Sequence, residues 1–464
     1  MTARWTSSCF RSCFDEHVGA IDEKVILEKV KNDQLFGFLL VDVAIKPEHA
    51  DEYEQYPVII KPHQMRRADL DERQRERAER LKVLSNDGQR TVVGAKHAEQ
   101  LLVTSEMVKF WLELGTIDVQ RIYQIVEYTP VACLRSTIQN LSQLRRDGDV
   151  TPSAKPLGDA AKLISNSIYG RTLLRKDRYT SLRLCTHDDL DYMVNKPTYR
   201  NHVALLKPDE MVVKLNDPPV TQEHDPDMIY QVLLSKEKVF ADAPVHLGSW
   251  ILSEAKLHNM RFVRVLTRYL DPRTWNTAYC DTDSIFFLLA FDSIDERVLR
   301  DETLRREWFS EVRPRWFVPE FCDRGKCKEK YVDTRVAGDP WVRPECCQIA
   351  FDWWRRHPGL MKVEATATKF TANNPKAYYM EDEATGQVKK AHKGVQRRAG
   401  AHLDYDAYRK CQEEEVCPEA TNVGFVAVGG CMFTRQQTKR ALNPVNPKRA
   451  EHPDHPLYTF TLDV

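Results

Sequence analysis

The stretch YCDTDSIFFLLA, Tyr279 to Ala290, constrains the fold more than any other part of the chain. Ile285, Phe286, Phe287, Leu288, Leu289 and Ala290 form an apolar run bounded by Asp292, short enough for a buried strand. Two aspartates, Asp281 and Asp283, stand at its mouth. Alternate residues of a strand point to one side, so the spacing predicts both carboxylates in one small volume. At ~4 Å and an effective dielectric of ~20, such a pair repels by roughly 4 kcal/mol. Either one carboxylate takes up a proton or a cation lies between them. Mg²⁺ is commonly held by one or two carboxylates together with substrate phosphates. An acidic hairpin turn produces the same three letters, so both readings stand on this stretch alone.

A second stretch, AKLISNSIYGRTLL, lies upstream and is compatible with a helix. On a helix Lys162, Asn166 and Tyr169 recur at i, i+4 and i+7, so one face carries a cation, an amide and an aromatic ring. A lysine there can neutralise phosphate, an amide can bond sugar or phosphate, and a tyrosine offers a flat surface to a base. Gly170 lets backbone approach closely or lets the helix bend. An ordinary amphipathic helix has the same spacing.

Taken together and in order, KLISNSIYG and YCDTDS resemble two signature motifs of family B DNA polymerases, the fingers pattern Kx3NSxYG and the palm pattern YxDTDS. FGFLLVDVAIKPEHADEYEQYPVIIKP, IYQIVEYTP, HPGLMKVE, NPKAYY and a later KGV are similar to palm and thumb of the protein-primed branch, especially Maverick/Polinton-type mobile elements and viral relatives. The resemblance covers about Leu35 to about Arg440. It implies a multidomain α+β chain of right-hand architecture: a palm with an antiparallel sheet and helices, a fingers helix and a thumb.

Carried over residue by residue, it implies catalysis and metal binding at Asp281 and Asp283, with Asp283 the principal ligand. Lys162 would meet the triphosphate, and Asn166, Ser167, Tyr169 and Gly170 would shape the nucleotide pocket. Lys376 and Tyr378, with Lys393 and Gly394, would hold primer and template. The implied cofactor is Mg²⁺, two ions in a complete site. The implied partners are primer–template DNA, deoxynucleoside triphosphates and a terminal protein as primer.

The chain departs from the family in one respect that bears on chemistry. No DxxSLYP stretch supplies the third aspartate of the palm, and DEYEQYP at Asp51 shares only a distant look. No proofreading exonuclease motifs precede the palm either. The resemblance therefore implies a polymerase portion lacking the exonuclease domain and first palm motif, weak or inactive alone. A remnant that grips DNA without chemistry is the competing reading. A metal-dependent nuclease would use the DTD pair but leave the fingers motif without a purpose.

The family resemblance also divides the chain. Residues 1–30 read as irregular, 31–150 as palm with a first insertion, and 151–176 as the fingers helix. Proline-rich 177–246 reads as a second insertion. Residues 247–372 return to the palm, with an insertion near 293–358, and 373–464 form the thumb. Within this frame, TSEMVKFWLELG predicts a helix capped by Thr104 or Ser105 and ended by Gly115. VQRIYQIVEY predicts a strand, and RRADLDERQRERAERLKVL a solvated helix or loop.

Lysine plus arginine number 68 and aspartate plus glutamate 68, so net charge advertises no polyanionic partner. Local basic stretches still suit phosphate: Arg171, Arg175, Lys176 and Arg178, and KKAHKGVQRR from Lys389. No apolar run approaches the ~18 residues of a membrane span, and no secretory leader is recognisable, so an intracellular protein without a membrane partner is expected. Twelve cysteines without such a leader argue against a disulfide framework. Cys322, Cys327, Cys346 and Cys347 are irregularly spaced for one zinc site.

Overall fold

The structure, a computed structural model, describes residues 6–12, 22–84, 88–204, 229–240, 242–318, 358–428, 431–452, 458–462 and 464. The chain divides into two compact units, one of Met1–Thr172, His246–Ala367 and Val445–Val464, the other of Leu173–Val245 and Thr368–Pro444. Helices and strands are mixed in both, an α+β composition. The cysteines at 322, 327, 346 and 347 lie outside the described residues.

The first unit opens with β1 (Thr6–Ser12), α1 (Glu23–Lys31) and β2 (Gly37–Ile45). β3 (Ile59–Met65), α2 (Glu72–Arg80), β4 (Gln89–Ala95), β5 (His97–Thr104), α3 (Ser105–Leu114) and β6 (Ile117–Pro130) follow. An antiparallel sheet runs in the order β1-β6-β2-β5. Leu39, Val41, Val43 and Ile45 of β2 form the centre of the main core with Val108 and Trp111 of α3. α3 keeps its expected ends: the Thr104 hydroxyl accepts from Met107 N, and Gly115 takes φ +73°.

The beginning of the chain is not irregular where it is described. β1 pairs with β6, and α1 is capped by the Asp22 carboxylate accepting from Lys24 N and Val25 N. An edge strand added through backbone hydrogen bonds needs no side-chain periodicity, which is why the sequence does not advertise it. α2 also departs from a solvated helix. Gln74, Arg77 and Ala78 are buried, and Arg77 Nη1 bonds Glu451 Oε1 at 2.6 Å. A counter-charge some 370 residues away in sequence lets a charged helix face inward (|i−j| = 374).

α4 (Arg135–Val150) and α5 (Lys155–Thr172) form a helical hairpin in which Gly148 lies against Gly158. The second unit then begins with β7 (Thr180–Cys185), α6 (His187–Val194), β8 (Tyr199–Ala204) and β9 (Tyr230–Ser235), a sheet of order β7-β9-β8. The chain returns to the first unit through α7 (Val245–Tyr269), β10 (Trp275–Asp281) and β11 (Ser284–Leu289). α8 (Ile294–Leu299), α9 (Glu302–Glu307), a π-helical turn over Trp308–Val312 and α10 (Arg313–Trp316) come next. Their Val298, Trp308, Phe309 and Trp316 join Phe262, Leu266 and Tyr269 of α7 in a second core, against which Trp275, Ile285 and Phe287 pack. The first part of the stretch read as an insertion is thus a floor beneath the β10–β11 hairpin.

β12 (Ala367–Asn374), β13 (Ala377–Asp382), β14 (Val388–His392), a helix over Tyr405–Glu413, β15 (Glu419–Val428) and β16 (Cys431–Arg440) belong to the second unit. β17 (Ala450–Glu451) and β18 (Thr459–Phe460) belong to the first. The two units group these residues differently from the expected division. Residues read as a second insertion and most of those read as thumb share one compact unit, while 445–464 leave it. The tail is held by Val445 and Leu462 beside Met65, Leu70 and Val93, and by Arg449 Nη2 donating to the Glu54 carbonyl at 2.5 Å.

α7 also buries a carboxyl. Burial and the neighbouring Glu106 charge push Glu254 up to about 7, against the pull of Arg261, and Glu254 Oε1 has no hydrogen-bond partner. The folded state thus holds this proton more tightly than the unfolded chain. Its penalty is absent below about pH 4.5, grows as pH rises, and is complete above about pH 7. Glu254→Gln is expected to stabilise the first unit by about 1–2 kcal/mol at pH 8 and by nothing at pH 4.5, measured by urea unfolding. An equal effect at both pH values would refute the buried-proton account. No helix among the described residues is long and apolar enough to cross a membrane.

Candidate active site

The sequence expectation for the aspartate pair is corrected in one detail. Asp281 is the last residue of β10, opposite Ser284, but Asp283 is not on the strand. Thr282 and Asp283 form the whole turn, so the proximity of the two aspartates is set by the turn and not by strand alternation. Asp283 N donates to the Asp281 carbonyl at 2.8 Å, and Thr282 takes φ +60°. That is a γ-turn of the rare, strained hand. A β-branched residue in the left-handed region costs about 1–2 kcal/mol, so the surroundings must hold it.

Three side-chain bonds do so. Thr282 Oγ1 donates to Asp281 Oδ1 at 3.1 Å, and Ser284 Oγ donates to the Asp281 carbonyl at 3.1 Å. Asn259 Nδ2, buried on α7, donates to the Thr282 carbonyl at 3.0 Å. The Tyr56 hydroxyl and the Asn259 amide also flank the Cys280 thiol, and burial pushes the Tyr56 phenol far above its usual range. Behind the turn, the Tyr279 and Phe286 rings meet edge-on at 5.4 Å and Trp275 and Phe287 at 5.5 Å. Asp281 is half-buried and Asp283 exposed. Carboxylate oxygens are the hard donors that Mg²⁺ takes, commonly one or two of them together with phosphate oxygens. Among the described residues, no three or more His, Cys, Asp or Glu side chains come together as a metal site.

The fingers-motif residues lie on α5 of the same unit. Lys162 and Asn166 are exposed, while Tyr169 is half-buried and its phenol is pushed up by that burial. They descend one flank of the helix whose Gly158, Ala161 and Thr172 are buried. Ser167 spends its hydroxyl on the Leu163 carbonyl at 2.8 Å. Gly170 stands in open space, and α5 continues past it.

Lys376, Tyr378, Lys393 and Gly394 lie in the second unit. Pro375 and Lys376 make the two-residue turn between β12 and β13, and Lys376 takes φ +62°, the left-handed position of a type II turn. Tyr378 is half-buried on β13. Lys393 is exposed, and Gly394 takes φ +75° where a side chain would meet Lys439 Nζ at 2.7 Å. Two basic candidates are already engaged: Lys176 pairs with Asp242, and Lys390 Nζ donates to the carbonyls of Ala401 and Leu403 at 2.9 and 2.8 Å.

Asn259 is the residue the sequence does not signal. It lies in a helix of ordinary pattern, and its partner is a main-chain carbonyl 23 residues on. No motif encodes such a contact.

No protein-family profile matches the chain, and no curated protein matches it. Among solved structures the chain is similar to phi29 DNA polymerase complexed with primer–template DNA, at a TM-score of 0.40 and 12% sequence identity. The overlap covers 93% of this chain and 53% of the polymerase chain, so this chain spans about half the length of that one.

Proposed function

We propose that the chain is a DNA-directed DNA polymerase of family B, protein-primed type, adding deoxynucleotides to a primer 3′ end. The observation that carries this reading is the β10–β11 turn, a strained two-residue tip that presents Asp281 and Asp283 from a hairpin anchored on α7. Such strain persists where surrounding structure over-determines it, and it concentrates at functional sites. The exposed stripe of Lys162 and Asn166 on α5 supports the same reading, because both side chains are available to a triphosphate.

Asp283 and Asp281 would hold Mg²⁺, which when bound would neutralise the triphosphate and favour attack by the primer hydroxyl. Lys162 binds triphosphate charge, and Asn166 and Tyr169 shape the nucleotide pocket. Lys376, Tyr378, Lys393 and Gly394 contact primer and template, and a terminal protein serves as primer. With two carboxylates at the hairpin and no DxxSLYP stretch, turnover by the chain alone is slow. That same shortage favours the second reading, a polymerase-derived protein that binds DNA without catalysis.

Primer extension separates the two. A labelled DNA primer on a longer template, with Mg²⁺ and four deoxynucleotides, is expected to show slow, template-matched addition. Lys162→Ala is expected to raise the nucleotide KM about tenfold with a smaller change in kcat, the signature of lost triphosphate binding. Salt-sensitive DNA binding without addition supports the second reading. Neither binding nor addition would sink both.

A further inference from the structure

We propose that Asn259 is a positioning residue that holds the carboxylate turn in register, by clamping the carbonyl of its strained residue Thr282. The proposal rests on reading the β10–β11 turn as the active site. Asn259 sits in the middle of the 25-residue α7, between Leu257 at 0% and Met260 at 3% exposure, and is itself 3% exposed. Its backbone is therefore fixed by the core, and its side chain has little room to choose another rotamer.

The bond at 3.0 Å to the Thr282 carbonyl fixes the orientation of one peptide unit, the one joining Thr282 to Asp283. That same unit supplies the Asp283 N–H that donates to the Asp281 carbonyl at 2.8 Å. Relaxing Thr282 from φ +60° would turn this peptide, break both bonds and redirect the Asp283 side chain. The relaxed turn would leave a buried amide without its acceptor, which disfavours it. Asn259 thus makes the strained turn the preferred one. Asn259 touches neither substrate nor metal in this scheme, and its effect passes through the geometry of Asp281 and Asp283.

The test uses the full chain. Asn259→Asp keeps the size but replaces the donor with an acceptor facing a carbonyl. Asn259→Leu, apolar and branched at the same atom, serves should the first variant fail to fold. Hydrogen–deuterium exchange, read by mass spectrometry on a peptide spanning Tyr279–Phe286, is expected to quicken at least tenfold, with α7 peptides outside the substitution unchanged. Mn²⁺ binding that depends on Asp283, counted by electron paramagnetic resonance against Asp283→Ala, is expected to weaken at least fivefold. Hairpin exchange within twofold of the parent in a folded variant overturns the proposal, whatever the metal result. Mn²⁺ binding that is equal in the parent and in Asp283→Ala instead overturns the reading of the turn as a metal site, and exchange then decides the clamp by itself.

Discussion

Asp283→Ala is expected to reduce template-directed nucleotide addition at least ~10³-fold, about 4 kcal/mol of transition-state stabilisation, while leaving the unfolding midpoint unchanged. The two halves of this expectation have separate causes. Asp283 is exposed at the tip of the turn, and surface substitutions away from packing cost within about 0.5 kcal/mol. On the proposed reading its carboxylate nevertheless holds the cation that meets the triphosphate, and a two-carboxylate site has no spare ligand to absorb the loss. Mn²⁺ binding should fall in parallel, giving a measure that does not depend on a slow enzyme. Asp281→Ala is a poorer probe, because Asp281 Oδ1 also accepts the Thr282 hydroxyl and its loss loosens the turn itself. Addition by Asp283→Ala at the parental rate would place the chemistry elsewhere.

Trp308→Ala is expected to cost about 3–5 kcal/mol in the first unit. Trp308 is 0% exposed, its ring meets Tyr269 at 5.0 Å, and its indole Nε1 donates to Asp295 Oδ1 at 2.8 Å. Truncation removes apolar area, opens a cavity, and leaves Asp295 with one partner, Arg313 Nε at 2.6 Å. Trp275, Ile285 and Phe287 of the hairpin rest on this same core, so support for the turn should weaken before the unit unfolds globally. A chain of two units need not unfold in one step, so the measurement should follow hairpin exchange beside the urea transition. A shift under about 1 kcal/mol would mean that the α8–α10 segment is not the floor described above.

The parts legible in sequence are those specified by near neighbours. α3 reads clearly because Thr104 caps and Gly115 ends ten residues of helical pattern. The hairpin is legible as a strand because an apolar run follows two aspartates, although β11 is only half-buried and Leu288 is 53% exposed, and the α5 stripe is legible because 3.6-residue periodicity is local. The charge-rich α2 misleads for the opposite reason. Arg77 looks solvated until Glu451 arrives from the far end of the chain. The boundary near Val445 was hidden in the same way, since the cohesion of the tail with the first unit lies in contacts with Met65, Leu70 and Glu54.

The sequence alone singled out the candidate residues: Asp281 and Asp283 at a strand end, Lys162, Asn166 and Tyr169 on one helix flank. Residue identity and short-range periodicity mark these positions, and the family resemblance they carry implies the roles. Only the tertiary structure decided how the two aspartates are held. Strand alternation would have put both on β10, whereas the turn has Thr282 at φ +60° and a buried amide from α7 fastening its carbonyl. A backbone conformation that is unfavourable by local sterics can be chosen only by distant contacts, and those are not written in the nine letters around it.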